Sequence, residues 1–402
     1  MSKKNKIAII GTVGVPAKYG GFETLTEHLI ENLDNDYDLS VYCSGLAYKK
    51  ETRKPYYRNA KLFFIPLKAN GIQSILYDAI SILHALFYAD VLLILGVSGA
   101  FMLPFVKLFT NKRIIISIDG IEWKRAKWNF FAKSYLFWAE YLAVKYSHID
   151  ISDNESIQNY TAMRYGSLSR IIEYGADHTF KVNPTVKDRK EFPFLKSTYA
   201  FTVCRIEPEN NIHEILKAFS QLPKYFLVIV GNWTNSEYGI HLKEQFSNFA
   251  NILLLDPIYD QRKLDVIRGN ALMYIHGHSA GGTNPSLVEA MYLGLPIMAF
   301  DVSYNRVTTE DKAFYFRNHE SLKKGVLSCS YKTLHDMGES MKSIAMRRYT
   351  WEVVAAKYDQ LFVEVLTIKH KKSINSGLTT MGLPTLINYN LGHLKYHQSF
   401  YE

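Results

Sequence analysis

The residues best placed to do chemistry in this chain form one run, His278-Ser-Ala-Gly-Gly-Thr-Asn-Pro-Ser-Leu-Val-Glu289. A short apolar strand, Ala271–Ile275, leads into it. Asn284 is a preferred helix N-cap and Pro285 suits the first helical position. A helix is therefore predicted from Pro285 through Leu287, Val288 and Met291 to Gly294. Gly281 and Gly282 ahead of that helix expose N–H groups at its positive end, which suits a diphosphate. Thr283, Asn284 and Ser286 extend the same row of donors. Glu289, just over one turn into the helix, lies within reach of hydroxyls on the same ligand. A plain strand–turn–helix connection, with Gly-Gly for tightness, accounts for these residues equally well.

Such a loop has to be carried by a sheet, and the rest of the chain supplies two. The 402 residues exceed what one core usually supports. Hydrophobic residues at 48% and charged residues at 21% are globular values. Short apolar strands alternate with amphipathic helices, beginning Ile7–Ile10, then Leu39–Tyr42, Leu62–Ile65, Val91–Leu95, Arg113–Ile118 and His148–Ile151. Strands of this kind are covered on both faces in parallel sheets. The alternation restarts at Ala200–Cys204 and continues through Phe226–Val230, Ile252–Leu255, Ala271–Ile275 and Ile297–Phe300. The expected fold class is α/β, with two doubly wound Rossmann-like domains facing an interdomain cleft. The expected divisions are residues 1–180, a charged linker at 181–198, a second domain at 199–350, a C-terminal helix at 351–368 returning toward domain one, and a tail at 369–402. No function is read from the tail.

The net charge of +9 favours anionic partners without choosing among them. No RRM, KH or helix-turn-helix pattern supports nucleic acid. Three scattered cysteines make neither a CxxC pair nor a disulfide framework, which fits a reducing cytosol. The apolar stretch from Ile72 to Phe109 is broken by Asp78, His84, Asp90 and Lys107, so a buried helix and central strand are expected there, not a spanning helix. His276 and His278 have no third ligand at a plausible spacing, so no metal is expected.

The run Gly281-Gly-Thr-Asn-Pro-Ser-Leu-Val-Glu-Ala-Met-Tyr-Leu-Gly-Leu-Pro-Ile297 resembles the donor segment of glycosyltransferase family four, which has the GT-B fold. The resemblance implies that Glu289 holds the nucleotide ribose. Many members carry a Glu eight residues earlier, against the transferred sugar, where this chain has Gly281. Val203-Cys-Arg-Ile-Glu-Pro-Glu-Asn-Asn-Ile212 is similar to the family's Arg-Leu-x-x-x-Lys stretch, whose cations grip the diphosphate. Arg205 matches, while Asn210 replaces the Lys and removes a charge. Gly231 and Asn232 end the next strand, where the family lines the nucleotide pocket.

Gly11-Thr-Val-Gly-Val-Pro-Ala-Lys-Tyr-Gly-Gly-Phe-Glu23 is not a dinucleotide fingerprint. It resembles the glycine-rich first loop of the same family, and within it the bacterial capsule and exopolysaccharide rhamnosyltransferases. Gly14, Gly20 and Gly21 would face the diphosphate, and Lys18, Tyr19 and Glu23 the acceptor. Ile118-Asp-Gly-Ile-Glu-Trp-Lys-Arg-Ala-Lys-Trp128 resembles the same branch. There Asp119 would orient the donor sugar, with Glu122, Trp123, Arg125 and Lys127 on the acceptor side. A solvated helix start is the other reading of those residues.

The resemblance implies a retaining transferase with no bound metal or cofactor. Arg205 and the Gly281–Ser286 N–H groups would stabilise the leaving diphosphate. The implied donor is dTDP-L-rhamnose, and the implied acceptor a lipid-diphosphate-linked sugar, glucose by expectation. The protein would work in the cytoplasm at the inner membrane face, docked peripherally through the aromatic segment Trp128–Trp138; packing of that helix within domain one accounts for its aromatics equally well. Rival readings are a family-four transferase using a UDP-hexose, a sugar-nucleotide epimerase, and a non-catalytic partner subunit. The sequence does not set an oligomeric state.

Overall fold

The computed structural model describes residues 4–17, 20–118, 120–125, 128–368 and 371. They form two compact units, one from the residues up to Tyr174 together with those from Trp351 onward, the other Gly175–Thr350. Lys18, Tyr19, Asp119 and Lys127, expected at the site, and most of the 369–402 tail lie outside the described residues.

The first unit runs β1 (Lys6–Ile10), α1 (Gly21–Leu33), β2 (Asp38–Ser44), β3 (Tyr56–Tyr57), β4 (Ala60–Ile65), α2 (Gln73–Ala85) and β5 (Val91–Leu95). It continues through α3 (Leu103–Phe109), β6 (Arg113–Ile118), α4 (Phe130–Tyr146), β7 (Ile149–Ser152), α5 (Glu155–Tyr165) and β8 (Arg170–Ile171). The strands make a sheet in the order β3-β4-β2-β1-β5-β6-β7-β8, parallel except for β3 on β4. All five residues of β5 are buried, as a central strand covered on both faces requires. From β1 the chain winds one way to β2, and from β4 it crosses and winds the other way to β5, β6 and β7. The order therefore reverses between β1 and β5, where open α/β sheets bind ligands beyond the strand ends.

The second unit runs α6 (Val186–Glu191), β9 (Tyr199–Val203), α7 (Ile212–Ser220), β10 (Phe226–Val230), α8 (Glu237–Phe246), β11 (Ile252–Leu255) and α9 (Gln261–Gly269). After these come β12 (Met273–His276), α10 (Pro285–Tyr292), β13 (Ile297–Phe300), α11 (Ser303–Thr308), β14 (Phe314–Phe316), α12 (His319–Ser328) and α13 (Tyr331–Arg348). Its sheet is wholly parallel in the order β11-β10-β9-β12-β13-β14, reversing between β9 and β12. The core beneath joins Ile215, Leu216 and Phe219 of α7 to Leu227, Ile229, Ile275 and Met298 of the strands.

Residues 181–198, expected as a linker, belong to this second unit. Thr185 caps α6 through a reciprocal pair of bonds with Asp188, and Arg262 of α9 grips both Asp188 oxygens at 2.9 Å. The charges that read as linker composition are a paired helix surface.

The chain then returns to the first unit as α14 (Trp351–Thr367), which lies on α1. Tyr37 donates to Asp359 at 2.6 Å, Arg170 makes a two-pronged pair with Glu364, and Trp351 stacks on His28 at 4.3 Å.

Candidate functional site

In the second unit, β9 leads into Arg205 and β12 into the Gly277–Asn284 loop, so these residues flank the reversal of the sheet. Asn284 caps α10, its side-chain oxygen accepting from Ser286 N–H at 3.0 Å and from the Ser286 hydroxyl at 2.8 Å. Pro285 is the first helical residue, as the N-cap chemistry dictates. Tyr274 of β12 donates to Ser286 Oγ at 2.9 Å, fixing the helix start to the strand. Gly281 has φ +111°, a conformation that side chains with a Cβ rarely adopt. Among the described residues, the N–H groups of Gly281 and Gly282 have no hydrogen-bond partner. Thus the loop presents backbone donors at a helix N-terminus, the arrangement that binds phosphate.

Glu289 sits one turn below, and its carboxylate is already held on both oxygens. Oε1 accepts from His178 Nε2 at 3.1 Å, and Oε2 pairs with Arg268. Arg268 has no exposed side-chain surface and also binds Asp265 at 3.1 Å. Burial pushes the Glu289 carboxyl up, but the Arg268 guanidinium and His178 outweigh it and hold it at about 2. An ionised carboxylate has about four acceptor positions, so a ribose hydroxyl can still donate to it. Arg268, His178 and Asp265 carry no sequence motif.

Asn210 is buried, and both ends of its amide are engaged. Its Nδ2 donates to Arg205 O at 2.7 Å, and its Oδ1 accepts from His278 Nδ1 at 2.8 Å. Asn211 donates to Gly277 O at 2.8 Å, and Ser279 N–H to Glu209 O at 2.8 Å. The loops after β9 and β12 are thereby stitched across the reversal. The contact is close, because a Cβ on Gly277 would lie 2.1 Å from Asn210 O. The Arg205 side chain is 45% exposed, with Glu207 at 3.8 Å. Gly231 is packed under Ile206 at the end of β10, and exposed Asn232 caps its own turn by accepting from Thr234 at 3.2 Å. His276 and His278 are both buried, and burial drives the His276 pKa well below the usual imidazole value. Among the described residues no three His, Cys, Asp or Glu side chains converge as a metal would need.

In the first unit the loop after β1 holds Gly14, and Gly20 and Gly21 open α1. Here two of the loop's backbone donors meet carboxylates. Glu23 accepts from Val13 N–H at 2.7 Å and from the Thr12 hydroxyl at 3.2 Å, and Glu27 accepts from Ala17 N–H at 3.1 Å. Glu122, Trp123 and Arg125 share a short turn after β6. Glu122 pairs with Arg125 at 2.7 Å and accepts from Trp128 Nε1 at 3.0 Å. Trp123 Nε1 donates to Tyr160 OH at 3.0 Å, while the Arg164 guanidinium lies 5.1 Å from the Trp123 ring centre and 3.9 Å from that of Phe137.

Two Rossmann-like domains with these parallel sheets make the GT-B fold of glycosyltransferases. Sucrose-phosphate synthase from Thermosynechococcus elongatus superposes with a TM-score of 0.73 at 14% identity, over 90% of this chain and 99% of that one. A glycosyltransferase from Rickettsia africae gives 0.70 at 13%, over 90% and 99%. Anabaena HepE, in complex with UDP and glucose, gives 0.68 at 12%, over 90% and 100%. No curated protein matches the chain. Residues 4–177 match a domain of unknown function, DUF1972, and residues 185–343 match glycosyl transferases group 1. Residues 185–343, most of the second unit, thus match the group 1 glycosyltransferases, and the two units each have the Rossmann-like architecture of the GT-B fold.

Proposed function

We propose that this transferase is a retaining rhamnosyltransferase. It moves L-rhamnose from dTDP-L-rhamnose to a lipid-diphosphate-linked glucose in capsule or exopolysaccharide synthesis, at the inner face of the cell membrane. The observation that carries the reading is the loop between β12 and α10. Its Gly281 and Gly282 donors stand open at a helix N-terminus, with Glu289 held ionised one turn below. The donor diphosphate lies against those N–H groups and Arg205, and the ribose hydroxyls donate to Glu289. The sequence around Tyr19-Gly-Gly-Phe-Glu23 and Gly120-Ile-Glu-Trp123 supports the rhamnosyl branch.

In the proposed step the acceptor hydroxyl oxygen attacks the anomeric carbon on the face the diphosphate leaves. The carbon–phosphate-oxygen bond breaks, its electron pair stays on the diphosphate, and a diphosphate oxygen takes the hydroxyl proton. Configuration is retained. Charge builds on the leaving oxygen, where Arg205 and the loop donors stabilise it. Losing one such donor costs about 2.7–4 kcal/mol in the barrier.

A UDP-hexose donor is the second reading, favoured by the UDP and glucose held in a protein of the same fold. Purified protein incubated with membranes bearing lipid-diphosphate-glucose and labelled sugar nucleotides separates the two. Label entering lipid from dTDP-rhamnose alone supports the first reading. Label from UDP-glucose supports the second, and turnover without lipid product overturns both.

A further inference from the structure

Helix α2 is apolar on two sides. Tyr77, Ile82 and Ala85 point into the core of the first unit. Opposite them, Ile72, Leu76, Ile80, Leu83 and Phe87 are exposed, at spacings of three and four that keep one stripe along the helix and its ends. A helix hydrophobic all round normally has cover on both sides.

The neighbouring helices extend the stripe into a face. The crossovers β4–α2–β5, β5–α3–β6 and β6–α4–β7 all step the same way along the sheet. Right-handed crossovers then place the three helices on one side of it, and each sends residues into the same core cluster. Outward, α3 leaves Leu108 and Phe109 exposed, and α4 leaves Phe130, Phe131 and Trp138. More than half of the large apolar side chains exposed among the described residues lie between Ile72 and Tyr141. Scattered exposed apolar residues are ordinary, whereas a contiguous patch marks an interface.

Charge identifies the occupant. The three helices hold two acidic residues, Asp78 and Glu140, and both are buried. Their cations, Lys107, Lys133 and Lys145, are not, and Lys112 and Arg113 follow α3. We propose that the α2–α3–α4 face docks on an anionic lipid surface, with its apolar residues entering the headgroup boundary and its lysines meeting the headgroups. A second copy would bring like charges together on this face. The chain's own residues 372–402 carry Lys372 and Lys395 against Glu402, so they share its sign. No helix among the described residues is long and apolar enough to cross a membrane. The inference rests on the proposed lipid-linked acceptor only for its purpose, and it extends the docking surface well beyond the Trp128–Trp138 segment.

Flotation of the full chain with phosphatidylcholine vesicles, with and without phosphatidylglycerol, tests it. Binding should require phosphatidylglycerol and weaken as salt rises. Leu76→Glu with Leu83→Glu should lower vesicle affinity roughly tenfold or more. Phe109→Ser with Phe131→Ser, on the other two helices, should lower it by a similar factor. Val363→Glu, at an exposed apolar position on α14, should leave it unchanged. Equal binding by all variants, or no binding by the parent chain, overturns the proposal. So does self-association on sedimentation that the paired variants abolish without any vesicle binding. Titration with dTDP is run on every variant. Vesicle binding without nucleotide binding would sink the donor assignment and leave the docking face standing.

Discussion

The loop after β1 and the loop after β12 hold matching places, each at the reversal of its sheet and each opening a helix, yet they treat negative charge in opposite ways. The β1 loop carries its own anions, since Glu23 and Glu27 occupy donors that a phosphate would otherwise meet. The β12 loop leaves Gly281 and Gly282 open, and its carboxylate is drawn away to Arg268 and His178. Two loops of similar glycine content therefore differ in whether carboxylates of the fold sit on their donors. A diphosphate would meet the Gly281 and Gly282 donors unopposed, whereas carboxylates already sit on the Val13 and Ala17 donors of the first unit.

The most damaging way to break this contrast is Arg268→Gln. Removing a fully buried cation leaves Asp265 and Glu289 uncompensated, and should cost about 3–5 kcal/mol of stability. Thermal unfolding would show it, and an unchanged Tm would mean that Glu289 is not held as described.

Next in size is an opposed pH dependence of the two units. Burial raises Asp78, beneath the loop after β5, to about 8, helped down only by the Gly99 N–H. Its folded pKa exceeds its unfolded one, so the first unit loses stability as pH rises from about 4 toward 8. Asp78→Asn should remove that loss, raising stability at pH 8 by on the order of a few kcal/mol, seen as a higher Tm, and changing little at pH 4. Glu289 runs the other way. Its folded pKa lies below the unfolded value, so its contribution is present above about 4.3 and fades as pH falls toward 2. A Tm series from acid to alkali on parent and variant would show the alkaline arm vanish in Asp78→Asn while the acid arm stays.

Glu289→Gln sharpens the comparison at the ligand. Loss of a charged hydrogen-bond acceptor should weaken dTDP binding by about 1.5–3 kcal/mol, against little change for Glu23→Gln. Calorimetric titration of both variants decides it, and equal losses would erase the distinction between the loops. The smallest expected effect is Asn284→Ala, about 1 kcal/mol of stability from the lost cap on α10.

Much of the scaffold was legible in the sequence because strands buried on both faces are apolar without interruption. Val91–Leu95, Phe226–Val230 and Ile297–Phe300 begin and end where their apolar runs do. The start of α10 was legible because Asn284-Pro285 is a local signal. The partners of Glu289 were not. His178, Asp265 and Arg268 come from distant segments and meet only through the fold. Asn210 reads in sequence as a lost charge, and only its bonds to Arg205 O and His278 give it a role in joining two loops. The 181–198 stretch misled for a related reason, since a solvated, ion-paired helix and a flexible linker share a composition.

The return of the chain as α14 makes the second unit a guest within the first. Its two ends are tied to each other, Ala176 N–H donating to Tyr349 O at 2.7 Å. A gene segment encoding Gly175–Thr350 should therefore yield a domain that folds alone and keeps Arg205, Arg268, His178 and Glu289 together. The host has no such freedom. A stop codon after Thr350 would strip α14 from α1 and leave Tyr37 without Phe362 and Asp359, and His28 without Trp351, so late truncations should harm the half of the protein farthest from them in sequence.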